Sequence, residues 1–316
     1  MHNSLFIFVT LCLIEACFAA STSPIKYIIV LMFENRSFDH FLGHLGLTDP
    51  RVNGLQNSPC IPEDPTNPSS PKVCVNFNAI DGGPTDPLHD FDSITQQVFG
   101  YKKAMNETAE VKMNGFYANA AEVGKSFVLS AFNSSNLPVL STLATEFALF
   151  DSWFVSIPTC TNPNREMAMS GTSHGYTTNT IPDVGFPQKT HFRFLEEHGL
   201  SWKIHYEDDQ WMAPTFADLR DPSRVARTQE MSYFFQDLAQ GTLSNYTWLQ
   251  PRMATSANGP SNWQHPDASV EAGEQLLSNV YAALRASQYW EESALVITFD
   301  EHGGFYDHAD TRLSEK

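Results

Sequence analysis

Residues 25–33 read IKYIIVLMF, an apolar, β-branched stretch that predicts the first central strand of the 316-residue chain. It shows no sustained alternation of polar and apolar residues after Lys26, which is typical of a strand covered on both faces. Residues 294–299, ALVITF, repeat the pattern near the other end of the chain. The two runs predict central strands of a mostly parallel sheet flanked by helices, an α/β fold.

Both predicted strands end in acidic or amide side chains. Glu34 and Asn35 follow the first run, and Asp300 and Glu301 follow the second. Ligands of open α/β sheets bind beyond the carboxyl ends of the strands, so these four residues lie where chemistry is usually found. Capping of a following helix is the alternative role for Asn35.

The remaining elements are weaker in the sequence. Helices are predicted at 138–147 and 270–284, from apolar residues at helical spacing, and a short strand at 201–206. Residues 48–88 are crowded with Pro, Asn, Gly and Asp and predict an irregular insertion. The chain shows no internal repeat, so we expect one domain over 25–316. It stops soon after the second strand, and we expect this domain to be C-terminally incomplete.

The composition is that of a packed globular protein, with 42% hydrophobic residues, 23 Phe and 6 Trp. The formal net charge of −17 repels phosphate backbones and anionic membranes at long range. We therefore expect no nucleic-acid partner and no electrostatic lipid anchor. An anionic substrate remains compatible with this charge, because a bound cation inverts the field locally. The composition carries no signal for the oligomeric state.

Residues 1–20 predict a cleaved signal peptide. They combine an apolar run at 5–14 with small residues ending at Ala19 and Ala20. The run is short for a membrane span, which needs about 20 apolar residues, so a cleaved signal is favoured over a membrane anchor. We expect a secreted protein without a stable membrane anchor.

Secretion makes the five cysteines interpretable. Cys12 and Cys17 leave with the signal peptide. Cys60 and Cys74 flank a Pro-rich stretch, and we expect them to form a disulfide. Cys160 is then left over, and a small buried thiol is a more frequent role for such a residue than a reactive one.

Four groups of residues carry oxygen and nitrogen atoms suited to catalysis. They are Glu34-Asn35 in FENRSFDHFLG, His89 in TDPLHDFD, Thr161 in SIPTCTNPNR, and Asp300-Glu301-His302 in FDEHGG. Hard divalent cations prefer carboxylate and amide oxygens, and a hydroxyl beside a cation becomes a usable nucleophile. Spacing alone does not specify the metal.

ENRSFDHFLG at 34–43, MNGF at 113–116, TNPNR at 161–165 with SGTSHG at 170–175, and TFDEHGGFYDH at 298–308 occur in that order. In these motifs the chain resembles the phosphoesterase family of phospholipases C and acid phosphatases. The resemblance implies an alkaline phosphatase-like fold and a divalent metal ion of unspecified identity. It departs at Thr159-Cys160, where plant phospholipase C-like members tend to have Gly-Pro, and at the early chain end.

The resemblance also implies roles for individual residues. The implied metal ligands are Glu34, Asn35, Asp300 and Glu301. Thr161 is implied as the nucleophile, with Thr159 as the nearby competitor. His89 and His265 are implied to hold phosphate oxygens or to act as general acid. For His205 and His302 the match is looser, and a structural role is at least as well supported.

The expected function is a secreted, metal-dependent phosphoric ester hydrolase of phospholipase C type, acting on a phospholipid or another phosphate ester. Acid phosphatase action on small monoesters and a catalytically silent, truncated binding protein are the alternatives. A sulfatase is disfavoured because it needs a modified Cys or Ser at the nucleophile position. Four aromatic residues are expected in the core, with a lipid pocket as the alternative: Trp153, Phe154, Trp202 and Trp211.

Asn35 lies in Asn35-Arg36-Ser37 and is formally a glycosylation sequon, as are Asn106, Asn133 and Asn245. A glycan on a metal-ligating amide would fill the substrate pocket. We expect glycans at some of the other three sites and none at Asn35 in active protein. Peptide mass mapping after enzymatic deglycosylation in heavy-oxygen water checks this, and a substantial label on Asn35 in active material would exclude its role as a ligand.

Overall fold

The computed structural model describes residues 24–101, 110–208 and 213–309. The predicted signal peptide at 1–20, the sequon at Asn106 and the aromatic residue Trp211 lie outside these ranges. Within them, no helix is long and apolar enough to cross a lipid bilayer.

Within the described ranges, five parallel strands form one central sheet, in the order β5-β4-β6-β1-β7. Its strands are β1 (Tyr27–Phe33), β4 (Trp202–Tyr206), β5 (Thr228–Glu230), β6 (Tyr246–Gln250) and β7 (Ser293–Phe299). The α/β prediction of a mostly parallel sheet flanked by helices is confirmed.

The helices of the described residues connect and cover these strands. They are α1 (Phe38–Phe41), α2 (Phe91–Phe99), α3 (Phe116–Asn119), α4 (Pro138–Glu146), α5 (Thr161–Ser170), α6 (His191–Glu197), α7 (Pro222–Val225), α8 (Met231–Gln240) and α9 (Val270–Ala286). Both predicted helices, α4 and α9, are present, as is the predicted strand β4. The Ser269 side chain caps α9 by accepting a hydrogen bond from the Ala272 amide.

The sheet separates two apolar cores, and β1 contributes to both because its side chains alternate. Ile29, Leu31 and Phe33 pack with residues of α4, α8 and α9. Val30 and Met32 face the opposite side, in a core that includes Trp202 and Trp248. Trp202 is thus a core residue, as predicted.

Strand β7 differs from its prediction as a strand covered on both faces. It lies at the edge of the sheet, where it pairs with β1 along its whole length from Tyr27–Ser293 to Phe33–Phe299. Its side chains are half-buried, and Val296 is 39% exposed. An apolar run indicates a strand, but only the neighbouring elements decide how much of it is covered.

The insertion at 48–88 is irregular apart from a short antiparallel hairpin of β2 (Cys60–Pro62) and β3 (Lys72–Cys74). Cys60 and Cys74 are directly opposite each other and form the predicted disulfide. Cys160 is a buried free thiol, also as predicted.

Candidate active site

The register of β1 and β7 brings the predicted residues together. Phe33 pairs with Phe299, so the two acidic strand ends emerge side by side. Asp300 Oδ1 accepts hydrogen bonds from the Asn35 amide at 3.0 Å and from the Glu301 amide at 2.9 Å. The buried Asp300 carboxylate therefore fixes the backbone of both strand ends.

Arg165 is a member of this cluster that the sequence analysis did not assign. It is fully buried; its Nε donates to Asp300 Oδ2 at 3.0 Å, and its Nη2 donates to Glu34 Oε2 and to the Phe33 carbonyl. One signal was available in the sequence. Arg165 follows Thr161 by four residues on α5, so the two share a helix face.

The side-chain amide of Asn35 lies between the carboxylates of Glu34 and Glu301. Its side-chain oxygen faces Glu34 Oε1 at 3.2 Å and Glu301 Oε1 at 2.5 Å, while Nδ2 donates to Asp86 Oδ1 at 3.3 Å. In this orientation three oxygen acceptors face one another without a hydrogen-bond donor, and a cation bound between them would satisfy all three. Turned by 180°, the amide nitrogen would donate to both carboxylates and the oxygen would accept from His265 Nε2 at 3.2 Å.

The donor set fits a hard divalent cation at Glu34, Asn35 and Glu301. With its carboxylates ionised, the cluster has three negative charges and the single positive charge of Arg165. Burial raises the pKa of Glu34 well above its usual value; Arg165 opposes this effect, and Asp300 and Glu301 add to it. Asp300 differs from the other predicted ligands, because both its oxygens already accept hydrogen bonds from protein groups.

Gly303 permits the close approach of the two strand ends. Its amide donates to Glu301 Oε2 at 2.6 Å, and its φ of 62° lies in the left-handed region. A Cβ at this position would lie 2.1 Å from the Asn35 carbonyl oxygen. Only glycine fits here without displacing Asn35.

Thr161 and Thr159 differ in the state of their hydroxyls. The Thr159 hydroxyl is fully buried and donates to the Thr177 carbonyl at 2.7 Å. Thr161 is the first residue of α5, and its hydroxyl makes no hydrogen bond with any residue that the structure describes. The geometry favours Thr161 as the available hydroxyl.

The asparagines of TNPNR hold this loop in shape. Asn164 Nδ2 donates to the carbonyls of Ile157 and Thr159, at 3.0 and 2.9 Å, and Asn162 Nδ2 donates to the Asn179 carbonyl at 2.9 Å. Cys160 precedes the helix, and burial raises the pKa of its thiol, with a smaller contribution from Glu301. The loop thus retains a fixed geometry with Thr159-Cys160 in place of Gly-Pro.

His89 and His265 lie on either side of Asp86, a residue that the sequence analysis also missed. Asp86 Oδ1 lies 3.6 Å from His265 Nε2 and 3.9 Å from His89 Nδ1. His89 Nε2 is in turn 3.6 Å from Glu301 Oε1. Asp86 stands three residues before His89 in TDPLHDFD, but this stretch assigns it no role, because that role depends on the folding of the irregular insertion.

The carboxylates set the charge state of both rings. Burial lowers the pKa of His89, but Glu301 and Asp86 outweigh it and the pKa is raised. Burial likewise opposes ionisation of His265, and Asp86 and Asp267 together raise its pKa. Both rings are held toward the protonated form, which can donate to phosphate oxygens.

Four other predicted residues lie apart from this cluster or at its edge. His205 on β4 is fully buried beside Asp237, and burial lowers its pKa to about 4, which fits a structural role. His302 Nε2 lies 2.8 Å from Gln97 Oε1. Trp153 is 67% exposed, so its prediction as a core residue is wrong; Phe154 is 37% exposed.

Residues 25–316 match the Phosphoesterase family. The chain belongs to the phosphoesterase family. It is 41% identical over 297 residues to non-specific phospholipase C1 of Arabidopsis thaliana, an alignment that covers 91% of the chain and 54% of that relative. Non-specific phospholipase C6 of the same plant is 37% identical over 92% of the chain and 55% of the relative.

A bacterial relative is more distant. Phospholipase C A of Mycobacterium tuberculosis is 27% identical over 93% of the chain and 62% of the relative. The chain spans 54–62% of the length of these three relatives.

Glu166, next to Arg165 on α5, is a buried carboxyl of different character. It is fully buried, its Oε1 has no hydrogen-bond partner among the described residues, and its Oε2 lies 3.5 Å from Gln188 Nε2. Burial raises its pKa to about 8, with a smaller opposing effect from Gln188. Glu166 is therefore protonated near neutral pH and adds no negative charge to the cluster.

This raised pKa predicts a loss of stability as pH rises. The unfolded chain releases the Glu166 proton near pH 4.5 and the folded chain only near pH 8. Between these values the free energy of unfolding falls by up to about 1.4 kcal/mol per pH unit. We expect Glu166→Gln to remove this part of the decline, as measured by urea unfolding at several pH values. The exposed control Glu146→Gln should leave the decline unchanged; equal profiles for the two variants would contradict the assignment.

Proposed function

We propose that this phosphoesterase is a secreted, metal-dependent phospholipase C-like hydrolase of phosphoric esters, with Thr161 as nucleophile. The proposal rests on the convergence of the Glu34 and Glu301 carboxylates on the Asn35 side-chain amide at the ends of β1 and β7. Two histidines held toward the protonated form stand on the same side. The similarity to relatives named non-specific phospholipase C supports the substrate class.

In the proposed reaction the Thr161 hydroxyl gives its proton to water, its oxygen attacks phosphorus, and the bond from phosphorus to the lipid glycerol oxygen breaks. A protonated histidine, His89 or His265, donates its proton to the departing alkoxide. Water then attacks the phosphothreonine, which releases the phosphorylated headgroup and restores the Thr161 hydroxyl. A divalent cation held by Glu34, Asn35 and Glu301 would favour ionisation of the nucleophile and offset phosphate charge.

Helix α5 supports the nucleophile in two ways. Its N-terminal amides carry partial positive charge, which favours an anion beside Thr161. Its Arg165 is anchored to Asp300 and Glu34, which ties the helix to the strand ends. The hydroxyl is thereby fixed relative to the cluster, and such positioning accounts for much of the rate gain in enzymes.

A phospholipid is favoured over a small monoester by the exposed segment that precedes α5. Phe150 is 69% and Trp153 is 67% exposed, and their rings lie 6.1 Å apart. Aromatic side chains of this kind are enriched where one end of a side chain is apolar and the other is wet. The net charge of −17 favours a zwitterionic over an anionic lipid surface.

The Cys60–Cys74 disulfide supports the proposed route through the secretory pathway, because disulfides persist in oxidising compartments. This agrees with the signal peptide predicted at residues 1–20.

Thr161→Ala should abolish turnover of phosphatidylcholine and leave the fold intact, because it removes the hydroxyl without burying a new polar atom. Thr159→Ala should retain turnover and lower the melting temperature, since it breaks the hydrogen bond to Thr177. Assays on vesicles, with circular dichroism as the folding check, compare the two. Activity in Thr161→Ala together with its loss in Thr159→Ala would place the nucleophile at Thr159.

Glu34→Gln and Asp300→Asn should each lower metal content, for different reasons. Glu34→Gln removes an anionic oxygen that faces the cation position. Asp300→Asn weakens the bond to Arg165 and misplaces Asn35, so it should also lower thermal stability. Elemental analysis of each purified variant measures the effect. Unchanged metal in both would overturn the site, and wild-type protein without metal or turnover would favour the catalytically silent alternative.

Trp153→Ala should reduce hydrolysis of phosphatidylcholine in vesicles several-fold while leaving hydrolysis of soluble p-nitrophenyl phosphorylcholine unchanged. Only the vesicle assay requires contact with a lipid surface. Tyr233→Ala on α8 is the matched control, since Tyr233 is an exposed aromatic residue, at 47%, on another element. An equal loss on both substrates would show that Trp153 acts on the site itself and not on lipid contact.

A further inference from the structure

A second cluster of ligand-type side chains lies beyond the strand ends. Among the described residues, one group of three His, Cys, Asp or Glu side chains places a ligand atom of each within 4.8 Å of the others: Asp39, Asp307 and His308. Asp39 belongs to α1, which follows β1. Asp307 and His308 belong to the segment that follows β7. None of the three belongs to the strand-end site, the cluster of Glu34, Asn35, Asp300 and Glu301 at the ends of β1 and β7.

The Asp39 carboxylate is incompletely bonded for a buried charge. Asp39 is 1% exposed, and its Oδ2 accepts a hydrogen bond from the His308 amide at 2.8 Å. Its Oδ1 has no hydrogen-bond partner among the described residues. A buried carboxylate oxygen without a donor is costly, and a cation is one way to satisfy it.

The His308 ring is oriented as a metal-bound histidine usually is. Nδ1 faces Asp39 Oδ2 at 2.8 Å, and Nε2 lies 3.0 Å from Asn53 Oδ1. Metal-ligating histidines commonly donate their second N–H to a carbonyl or carboxylate, which fixes the tautomer. Asn53 is itself held, because its amide donates to Asp151 Oδ2 at 2.7 Å.

The charges of the cluster also favour a bound cation. The Asp307 carboxylate accepts hydrogen bonds from the Asp39 amide at 3.3 Å and from the Ala309 amide at 2.9 Å, and a ligand atom of Asp307 lies within 4.8 Å of one of Asp39. No Lys or Arg of the described residues forms an ion pair with Asp39 or Asp307, and His308 is their ionisable partner. A divalent cation would neutralise both carboxylates and leave His308 uncharged.

We propose that Asp39, Asp307 and His308 form a second divalent cation site, separate from the strand-end site. One imidazole and two carboxylates suit Zn²⁺ or Mn²⁺ better than Mg²⁺ or Ca²⁺, which prefer oxygen ligands alone. One ligand atom of each side chain lies within 4.8 Å of the other two, close enough for a single cation to contact all three. The cation ties the segment after β7 to α1, and so supports the two chain segments that carry Asn35 and Glu301.

The test uses the full chain in a Glu34→Gln background, which weakens the strand-end site. Zn²⁺ or Mn²⁺ is titrated into chelator-stripped protein, and bound metal is measured by elemental analysis after desalting. We expect about one equivalent, a melting temperature that rises with metal concentration, and ¹⁴N modulation from an imidazole in the electron spin echo of the Mn²⁺ form.

His308→Ala in the same background should weaken binding at least tenfold and remove the nitrogen signal. His198→Ala, an exposed histidine on another element, is the matched control and should bind as the background does. Asp307→Asn is the second variant, because it keeps an oxygen that can accept from the Ala309 amide while it removes the charge. Equal metal content in His308→Ala and His198→Ala, or binding of Ca²⁺ alone, would overturn the proposal. Metal content is read without turnover, so failure of the proposed catalytic function leaves this result intact.

Discussion

The ion pairs of Arg165 with Asp300 and Glu34 hold the site together. All three side chains are buried, and a buried charge is tolerated only when it is paired and hydrogen-bonded. Because Arg165 belongs to the helix that begins with Thr161, the same contacts that neutralise the carboxylates also fix the hydroxyl. Loss of Arg165 would remove the cationic partner of two buried carboxylates and would release α5 from the strand ends.

The strand-end cluster depends next on the register of β1 and β7. A shift of one residue would reverse the direction of every side chain and separate Asn35 from Asp300. Gly303 allows the close contact, and Asp86 brings the two histidines to the same side of the cluster. The site thus combines a rigid sheet edge, which positions the proposed metal ligands, with loops that carry the proposed proton donors.

Much of this could be predicted from the sequence where a local pattern carried the information. The apolar runs at 25–33 and 294–299 marked two strands of the parallel sheet, the Pro-rich stretch between Cys60 and Cys74 marked the disulfide, and helical spacing marked α4 and α9. The same patterns did not show whether other parts of the protein would pack over a strand or a side chain. β7 lies at the edge and Trp153 faces solvent, because exposure depends on what packs against a residue and not on its own polarity.

The residue types that follow the two strands can be read directly from the sequence, and the order of the motifs indicates the family. The contacts that these residues make could be known only from the folded chain. Arg165 and Asp300 are 135 residues apart, and Asp39 and His308 are 269 apart, so no local signal connects them. The sequence alone does not distinguish the hydroxyls of Thr159 and Thr161. They differ because the fold places the Thr177 carbonyl beside Thr159 and places Thr161 at the start of a helix. Long-range contacts form only when the whole chain packs, and they decide which polar groups are bonded and which stay free to react.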